Sequence, residues 1–360
     1  MRYSRKEIKG LKRPKEIVIK SLSDYLKLFS SGRYENYVFR GEPTNYDEIM
    51  SSALRGEELP FVRMKNEFKR EVGHLLTEDE KREFLAFSQH HGIPTNLIDF
   101  TRSPLVALYF ACQKTTQTDD RYDKNRGFVY LIDNDLIDIT DLIAGNEDEN
   151  FLLRLIYGDN DFVLGLYKKL VMFKNKYPEK FYEYFKQLND DDKYYFVDYQ
   201  RKKRSNFPKY NAGGYELQLN FEYLTAAKEF VAVVEEKFGT IDLVVAEYLL
   251  FLKAFLNRVV KYKETVWWLN CIPNFIYSPY LTFQRGRNQQ GLFVYQAFLS
   301  LHETAYDFKF LSNQRVWPEL VIVVENKEQI LKELDFIGIN DKYIYGDFDS
   351  VAKYIKKKYT

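Results

Sequence analysis

The sequence predicts an α+β fold: one twisted mixed sheet built from strands of both chain ends, with a largely helical insertion between them. Strand-type apolar runs occur before about residue 135 and return after about residue 270. Between them, residues 141–265 consist mainly of long runs with apolar residues at helical spacing. A chain of 360 residues is long enough for one large domain or two ordinary ones. We therefore divide it into residues 1–140, the insertion 141–265 and residues 266–360.

The first forty residues are predicted to contribute two strands and a short helix. Residues 16–20 (EIVIK) alternate apolar and polar side chains, and residues 37–41 (YVFRG) form a short apolar run that ends at Gly41. Residues 21–31 carry apolar side chains at helical spacing. A period of two is typical of half-buried strands and a period of 3.6 is typical of helices, so the order strand, helix, strand follows.

Helices dominate the prediction for the next hundred residues. Thr77 and Glu80 have the spacing of a capping box, which opens a helix that Gly92 and Pro94 stop. A short connection joins this helix to a nearly all-apolar one. The predicted elements in chain order are an amphipathic helix at 59–76, a helix at 79–91, the apolar helix at 103–113 and a central strand at 128–134.

Long helical patterns then fill the insertion, and strand patterns return after it. The predicted helices of the insertion lie at 151–158, 163–177, 181–188, 224–239 and 241–262. The basic stretch Arg201–Ser205 between them is interpreted as a solvated linker. The C-terminal part is predicted to form strands at 275–280, 291–298 and 320–326 and helices at 327–339 and 348–359.

Composition argues against several classes of protein. The 53 basic and 52 acidic residues leave a net charge of +1, whereas a dedicated nucleic-acid-binding domain is normally basic. The four histidines and two cysteines show no metal-ligand spacing, so no metal is expected, and Cys112 and Cys271 are predicted to be buried free thiols. No secretory apolar segment follows the basic N-terminus, and no run approaches the ~18 apolar residues of a membrane span. We expect a cytoplasmic protein without membrane contact.

The densest group of chemically active side chains lies between residues 89 and 103. It comprises Gln89, His90, His91, Thr95, Asp99, Thr101 and Ser103. The helix that starts near Ser103 offers free N–H groups and a positive dipole end, which bind anions and phosphates. Ser103 followed by Pro104 also fits an ordinary helix cap, which accounts for part of the group. Asp99 is interpreted as structural, because Asx-type backbone bonds are common in tight connections.

Arg40 is the second candidate. It ends an apolar strand, and Gly41 after it permits close approach of another backbone. A guanidinium grips a phosphate or carboxylate with two parallel donors, although a structural salt bridge is the default role of an isolated Arg. Polar groups are costly to bury together unless they serve each other or a ligand. A shared pocket is therefore expected, formed by Arg40, His90, His91, Asp99 and Gln289.

Three runs in the first third of the chain resemble the FRG domain. They are YVFRGE (37–42), SSALR (51–55) and SQHHGIPTNLIDFTRSPLVALYFA (88–111). The hallmark of that family is a Gln-His-His-Gly-x-Pro-Thr-Arg-Leu-Leu-Asp-Trp-Thr run, followed by a small-residue helix. Asn96 takes the place of the usual Arg, so this chain lacks the cation that the family carries there.

The C-terminal part is similar to the end of the same family. Arg285 and the run Gln289-x-Gly291-x-Phe293 match its closing Arg and Gln-x-Gly-x-Phe residues, ahead of a last strand and helix. The resemblance covers roughly residues 20–135 and 270–360. It implies that residues 1–140 and 266–360 are two halves of one FRG domain, interrupted by the helical insertion.

A second resemblance, to ADP-ribosyltransferases, implies a reaction. The NAD site of those enzymes combines a Tyr-Arg-Gly strand end, a Ser-Thr-Ser strand before an Ala/Phe-rich helix, and a Glu ahead of a later strand. Arg40 with Gly41, Thr101 with Ser103, and Gln289 occur in the same order, with Gln in the place of Glu. The resemblance implies that Arg40 holds the pyrophosphate and Gln289 orients the ribose. The implied cofactor-binding set is Arg40, Gly41, Thr95, Thr101, Ser103 and Arg285.

Three functions are compatible with this pattern. The first is an enzyme that transfers ADP-ribose from NAD, or hydrolyses NAD, as an antiphage or toxin-type effector. Its co-substrate is NAD, and its target is a macromolecule (protein or nucleic acid). The helical insertion is free to bind a partner. The catalytic residues of this enzyme are Arg40, His90, His91 and Gln289. The second is a non-catalytic nucleotide or nucleic-acid sensor, which the Gln in place of Glu favours. The third, a nuclease-like hydrolase, ranks last because metal-dependent phosphodiester cleavage needs several carboxylates.

Overall fold

An eight-stranded mixed sheet organises the described part of the chain. The structure is a computed structural model. It describes residues 11–55, 60–133, 135–145, 150–157, 160–195, 209–212, 215–218, 228–263, 265–266, 268–280, 284–302 and 308–359. The basic stretch at residues 201–205 lies outside these ranges, so its interpretation as a linker stays a prediction.

Strands from both chain ends meet in this sheet. The strands are β1 Lys15–Ile19, β2 Val38–Glu42, β3 Leu97–Thr101, β4 Gly127–Ile132, β5 Ile137–Asp138, β6 Lys209–Ala212, β7 Tyr215–Gln218, β8 Trp268–Leu269, β9 Phe275–Tyr277, β10 Gly291–Tyr295, β11 Phe298–His302, β12 Phe308–Gln314 and β13 Leu320–Val324. The large sheet has the order β1-β13-β4-β2-β3-β10-β9-β5, a second sheet has the order β11-β12-β8, and β6 pairs with β7. The predicted α+β fold with a sheet from both chain ends is confirmed.

The helices lie mainly in the middle of the chain and on one face of the large sheet. They are α1 Leu22–Phe29, α2 Phe61–Val72, α3 Glu78–Arg82, α4 Phe84–His90, α5 Pro104–Ala111, α6 Thr140–Ile143, α7 Phe151–Tyr157, α8 Asn160–Lys176, α9 Pro178–Tyr195, α10 Lys228–Phe238, α11 Leu243–Tyr262, α12 Gln284–Asn288, α13 Lys327–Phe336, α14 Asp341–Tyr345 and α15 Phe348–Tyr359. The helical middle is confirmed, whereas the boundaries at residues 140 and 265 stay predictions. Among the described helices, none is both long and apolar enough to cross a bilayer.

Local sequence signals account for most of these boundaries. The capping box is present: the Thr77 hydroxyl accepts from the Glu80 N–H, and the Glu80 carboxylate accepts from the Thr77 N–H. The helix predicted at 79–91 is broken at Glu83 into α3 and α4. The connection predicted after Pro94 is wrong, because residues 97–101 form the strand β3 inside the sheet.

Two apolar clusters share one face of the large sheet. The first joins β1, β2, β4 and β13 to α1, α5 and α13, and the second joins β3, β9 and β10 to α7, α8, α9 and α11. Successive strand residues point to opposite faces, so Phe39 belongs to the first cluster while Val38 lies in a third cluster on the other face. The seam between the first two clusters runs along β2 and β3.

A cation joins the helical middle to the sheet. The Lys180 ammonium on α9 lies 2.5 Å from an oxygen of Asp135, 3.4 Å from one of Asp133 and 3.3 Å from one of Glu319. Oxygens of these three carboxylates lie within 4.8 Å of one another. The positive charge of Lys180 offsets the repulsion between them. Burial raises the pKa of Asp135 to about 6, against the attraction of Lys180. Cys112 and Cys271 are buried free thiols, as predicted.

Candidate functional site

A cavity of about 290 Å³ opens at the seam between the two clusters. It lies over β2, β3 and β10, between the helices α4, α5 and α12. Its polar lining consists of Arg40, Gln89, His90, Asp99, Thr101, Arg285 and Gln289. Its remaining lining is Phe39, Gly41, Ala86, Phe100, Val106, Phe110, Gly286, Gly291, Leu292 and Phe293. Segments about 250 residues apart in sequence therefore form one site.

The sheet splits where the cavity forms. Strands β2 and β3 pair at Phe39↔Thr101, and no further pair follows along their described length. The Arg40 guanidinium bridges the split, because its Nη1 donates to the backbone carbonyl of Asp99 at 2.8 Å. Its Nε donates to the Glu42 carboxylate at 2.8 Å, and the Glu42 side chain is 3% exposed. Two fixed contacts thus hold the guanidinium at the cavity wall.

Residue 41, which lines the cavity, is a glycine because the backbone of α5 leaves no room for a side chain. A Cβ atom at this position would lie 1.8 Å from the backbone oxygen of Ala107 on α5. Gly127 on β4 stands in the same relation to Ala111, at 2.0 Å. The close approach that Gly41 permits is therefore made by α5, which lies directly on β2 and β4.

A hydrogen-bonded chain leads from the start of β3 to the cavity. The Leu97 N–H donates to the Thr95 hydroxyl at 3.2 Å, and that hydroxyl donates to the side-chain oxygen of Gln89. The Gln89 amide nitrogen donates to Asp99 Oδ1 at 2.9 Å. Asp99 lies in the middle of a strand, so its predicted position in a tight connection is wrong. Its exposed side chain faces the cavity instead.

Thr101 and Gln289 connect β3 to the C-terminal part of the chain. The Thr101 hydroxyl donates to the backbone carbonyl of Gln289 at 2.6 Å and accepts from the Ser103 N–H at 2.9 Å. The Gln289 amide donates to the carbonyl of Ile344 on α14 at 3.2 Å. Both side chains line the cavity while they also hold its walls together.

His90 and Arg285 supply the remaining polar lining. His90, half-buried at the end of α4, has its pKa lowered by burial and then by the positive charges of His91 and Arg285. The imidazole is therefore neutral at neutral pH. Arg285 on α12 is exposed, and its guanidinium lies 5.0 Å from the ring centre of Tyr345.

Three candidate residues lie outside the lining. His91 is exposed and packs on Phe87, with ring centres 4.4 Å apart. Thr95 is fully buried and holds Gln89. The Ser103 hydroxyl caps α5 by accepting from the Val106 N–H, as the alternative interpretation had it. Val106 and Phe110 are the residues of α5 that line the cavity, whereas the cap residue Ser103 is not part of the lining.

Sequence reasoning missed the cavity's aromatic walls and the contribution of Gln89. Phe39, Phe110 and Phe293 come from three different elements and form apolar walls around the polar groups. Phe39 stands next to Arg40 on β2, which is a signal that the strand pattern contained. Gln89 stood in the motif, but its bond to Asp99 depends on the path of β3.

The comparisons with known proteins agree with part of this description. Residues 35–120 match the FRG domain. This FRG segment contains β2, α2 to α5 and β3, and so it supplies the cavity residues from Phe39 to Phe110. No curated protein and no solved structure matches the chain. The extension of the FRG domain to residues 270–360, which would add α12 and β10, stays a prediction.

Proposed function

We propose that the cavity binds NAD and that the protein transfers ADP-ribose from it to a macromolecular target, or to water, as an effector of an antiphage or toxin-type system. The observation that supports this most is the placement of Arg40. A guanidinium fixed by two contacts lies at the wall of a cavity that also holds a carboxylate and aromatic rings. Preorganised donors bind anionic groups without reorganisation, which favours a phosphate at this place.

The cavity suits one half of a dinucleotide. Its volume of about 290 Å³ is at the lower end of the roughly 300–1,000 Å³ of small-molecule sites. The aromatic walls fit a planar ring such as nicotinamide, which stacks favourably on aromatic faces. Arg40 and Arg285 both line the cavity and would supply two cations for the two charges of a pyrophosphate, and Arg285 is exposed.

The chain's own residues would bind and orient NAD and accept a proton from the attacking group. Bound NAD supplies an ADP-ribosyl group when its bond between ribose and nicotinamide breaks, and nicotinamide leaves as a neutral base with the bonding electron pair. The attacking hydroxyl of water or target loses one proton, which His90, a neutral imidazole in the cavity lining, would accept. Gln289 and Thr101 contribute polar groups to the wall on the α12 side.

A non-catalytic nucleotide sensor is the second candidate, and the lack of a charge on Gln289 favours it. This side chain carries no negative charge and donates to the Ile344 carbonyl. A cavity that binds NAD without a carboxylate at that position can hold the nucleotide without cleaving it.

Calorimetric titration with NAD, combined with an assay for released nicotinamide, tests the proposal. Arg40→Lys should weaken NAD binding about ten- to hundredfold, because charged hydrogen bonds contribute about 1.5–3 kcal/mol each and lysine lacks the fork. Arg63→Lys on the exposed side of α2 is the matched control. Arg40→Ala is less suitable, because it leaves the buried Glu42 carboxylate without its cation.

Each result has a separate meaning. NAD binding with nicotinamide release that depends on Arg40 supports the enzyme. Binding that depends on Arg40 without release supports the sensor. A wild-type protein that neither binds NAD nor releases nicotinamide refutes both.

A further inference from the structure

Asp99 supplies the one carboxylate among the described residues that line the cavity. Its side chain is exposed, although the residue lies in the middle of a central strand. Its neighbours Ile98 and Phe100 are buried in the core on the opposite face of the sheet. Strand alternation therefore directs Asp99 into the cavity, where an apolar side chain would serve packing better.

The orientation of this carboxylate is determined by its neighbours. Because the Thr95 hydroxyl donates to Gln89, the amide oxygen of Gln89 faces Thr95 and its NH₂ group faces Asp99. Asp99 Oδ1 is thus occupied by a donor. Within the described part of the chain, Asp99 Oδ2 has no hydrogen-bond partner, so one acceptor faces the cavity.

The same residue is tied to the phosphate-binding candidate. Arg40 Nη1 lies 2.8 Å from the backbone carbonyl of Asp99, which places the guanidinium against the strand that carries the carboxylate. A nucleotide presents the same two features side by side, a negatively charged phosphate and a ribose with hydroxyl donors. An acidic side chain that accepts from the ribose 2′-hydroxyl is a common element of dinucleotide sites.

We infer that Asp99 binds the 2′-hydroxyl of the nicotinamide ribose and stabilises the positive charge that develops at the adjacent anomeric carbon. The inference rests on the proposed function and assigns the site to ribonucleotides over their deoxy analogues. Cleavage at an anomeric carbon passes through an oxocarbenium-like transition state, which a nearby carboxylate stabilises. Asp99 then supplies the negative charge that a Glu supplies in ADP-ribosyltransferases and that Gln289, at the corresponding place in this chain, lacks.

Calorimetric titrations with two ligands test the inference: NAD, and the NAD analogue that lacks the 2′-hydroxyl of the nicotinamide ribose. Asp99→Asn keeps an acceptor for Gln89 and removes the charge. We expect it to weaken NAD binding about ten- to hundredfold, the range for a hydrogen bond to a charged group. The deoxy analogue should bind the wild type more weakly than NAD does, and Asp99→Asn should weaken it little further, because both changes remove the same contact.

Two controls separate this from a structural role. Asp161→Asn removes a carboxylate that is 97% exposed and does not line the cavity, and it should bind both ligands as the wild type does. The melting temperature of Asp99→Asn should stay within about 2 °C of the wild type, as for other exposed positions. Asp99→Ser, which also keeps an acceptor, replaces it if the Asn variant is insoluble.

Three results would overturn the inference. Asp99→Asn with unchanged affinity for NAD, and with the wild type's preference over the deoxy analogue, refutes it while the proposed function stands. A lowered melting temperature with unchanged affinity assigns Asp99 a structural role. A wild-type protein that does not bind NAD refutes the proposed function, and the inference falls with it.

Discussion

Replacement of Gly41 by alanine tests whether α5 lies directly on the sheet. The new Cβ would meet the Ala107 oxygen at 1.8 Å and the Ala111 nitrogen at 2.8 Å. Real Cβ atoms essentially never approach closer than 3.0 Å, so the helix has to move from 1.8 Å to at least 3.0 Å, a displacement of about 1.2 Å. Both obstructing atoms belong to helix backbone, which cannot rotate out of the way.

The expected loss follows from the packing around α5. Ala107 and Ala111 are fully buried, so displacement of the helix opens voids on its other side. Overpacking costs about 1–3 kcal/mol and more where nothing can yield, and a backbone clash belongs at the upper end. Alanine restricts the unfolded chain, which offsets about 0.4–1 kcal/mol. We expect Gly41→Ala to lower the free energy of unfolding by about 2–3 kcal/mol, measured by urea denaturation.

Gly73→Ala is the matched control. Gly73 has φ −59° at the end of α2, and nothing lies within 4 Å of a Cβ built there, so this variant should be as stable as the wild type or slightly more stable. Gly127→Ala should resemble Gly41→Ala, and the double variant should lose less than the sum, because one movement of α5 relieves both clashes. Equal stability of Gly41→Ala and Gly73→Ala would refute the close approach of α5.

Two further predictions concern charged groups. Lys180→Met should lower the free energy of unfolding by about 2 kcal/mol in urea denaturation, less than the ~3–5 kcal/mol of a fully buried pair because Lys180 is 32% exposed. The loss should be smaller at pH 5 than at pH 8, because protonation of Asp135 removes the unpaired charge; an equal loss at both pH values would contradict this. For His90, the lowered pKa means that the unfolded chain takes up the proton first, so stability should fall as the pH drops below ~6.5. His90→Gln should reduce that fall in denaturation curves at pH 7.5 and 5.5, and an unchanged difference between the two curves would exclude His90 as its source.

The buried strands were predictable because their signal is local. The runs that became β1, β2, β4, β10 and β13 are rich in Val, Ile, Leu and Phe, which favour a pleated buried surface. β3 was missed because its five residues stand between two helices and close to two prolines. Its partner β10 lies about 190 residues further along the chain, where no local pattern indicates the pairing.

The site was predictable in its residue types and only partly in their arrangement. The motif singled out Arg40, His90 and Gln289, which line the cavity. The sequence predicts a turn at Asp99, because the pattern shows no strand there. Its true position in β3 depends on the pairing with β10, which is a tertiary contact. The pairing of Arg40 with the buried Glu42 could have been predicted from the sequence, because residues two apart on a strand share a face.

The position of β10 and β13 has a consequence for protein synthesis. β1 pairs with β13 and β3 pairs along its length with β10, so these two early strands meet those partners only after much later residues have been made. β2 and β4 lie close in sequence and can pair with each other earlier. At roughly 5–20 residues per second, the interval between residues 110 and 293 takes about 10–40 seconds. During that time the nascent chain carries Arg40 and Asp99 without the wall formed by Arg285, Gln289 and Phe293. The cavity can therefore form only after translation has passed Phe293.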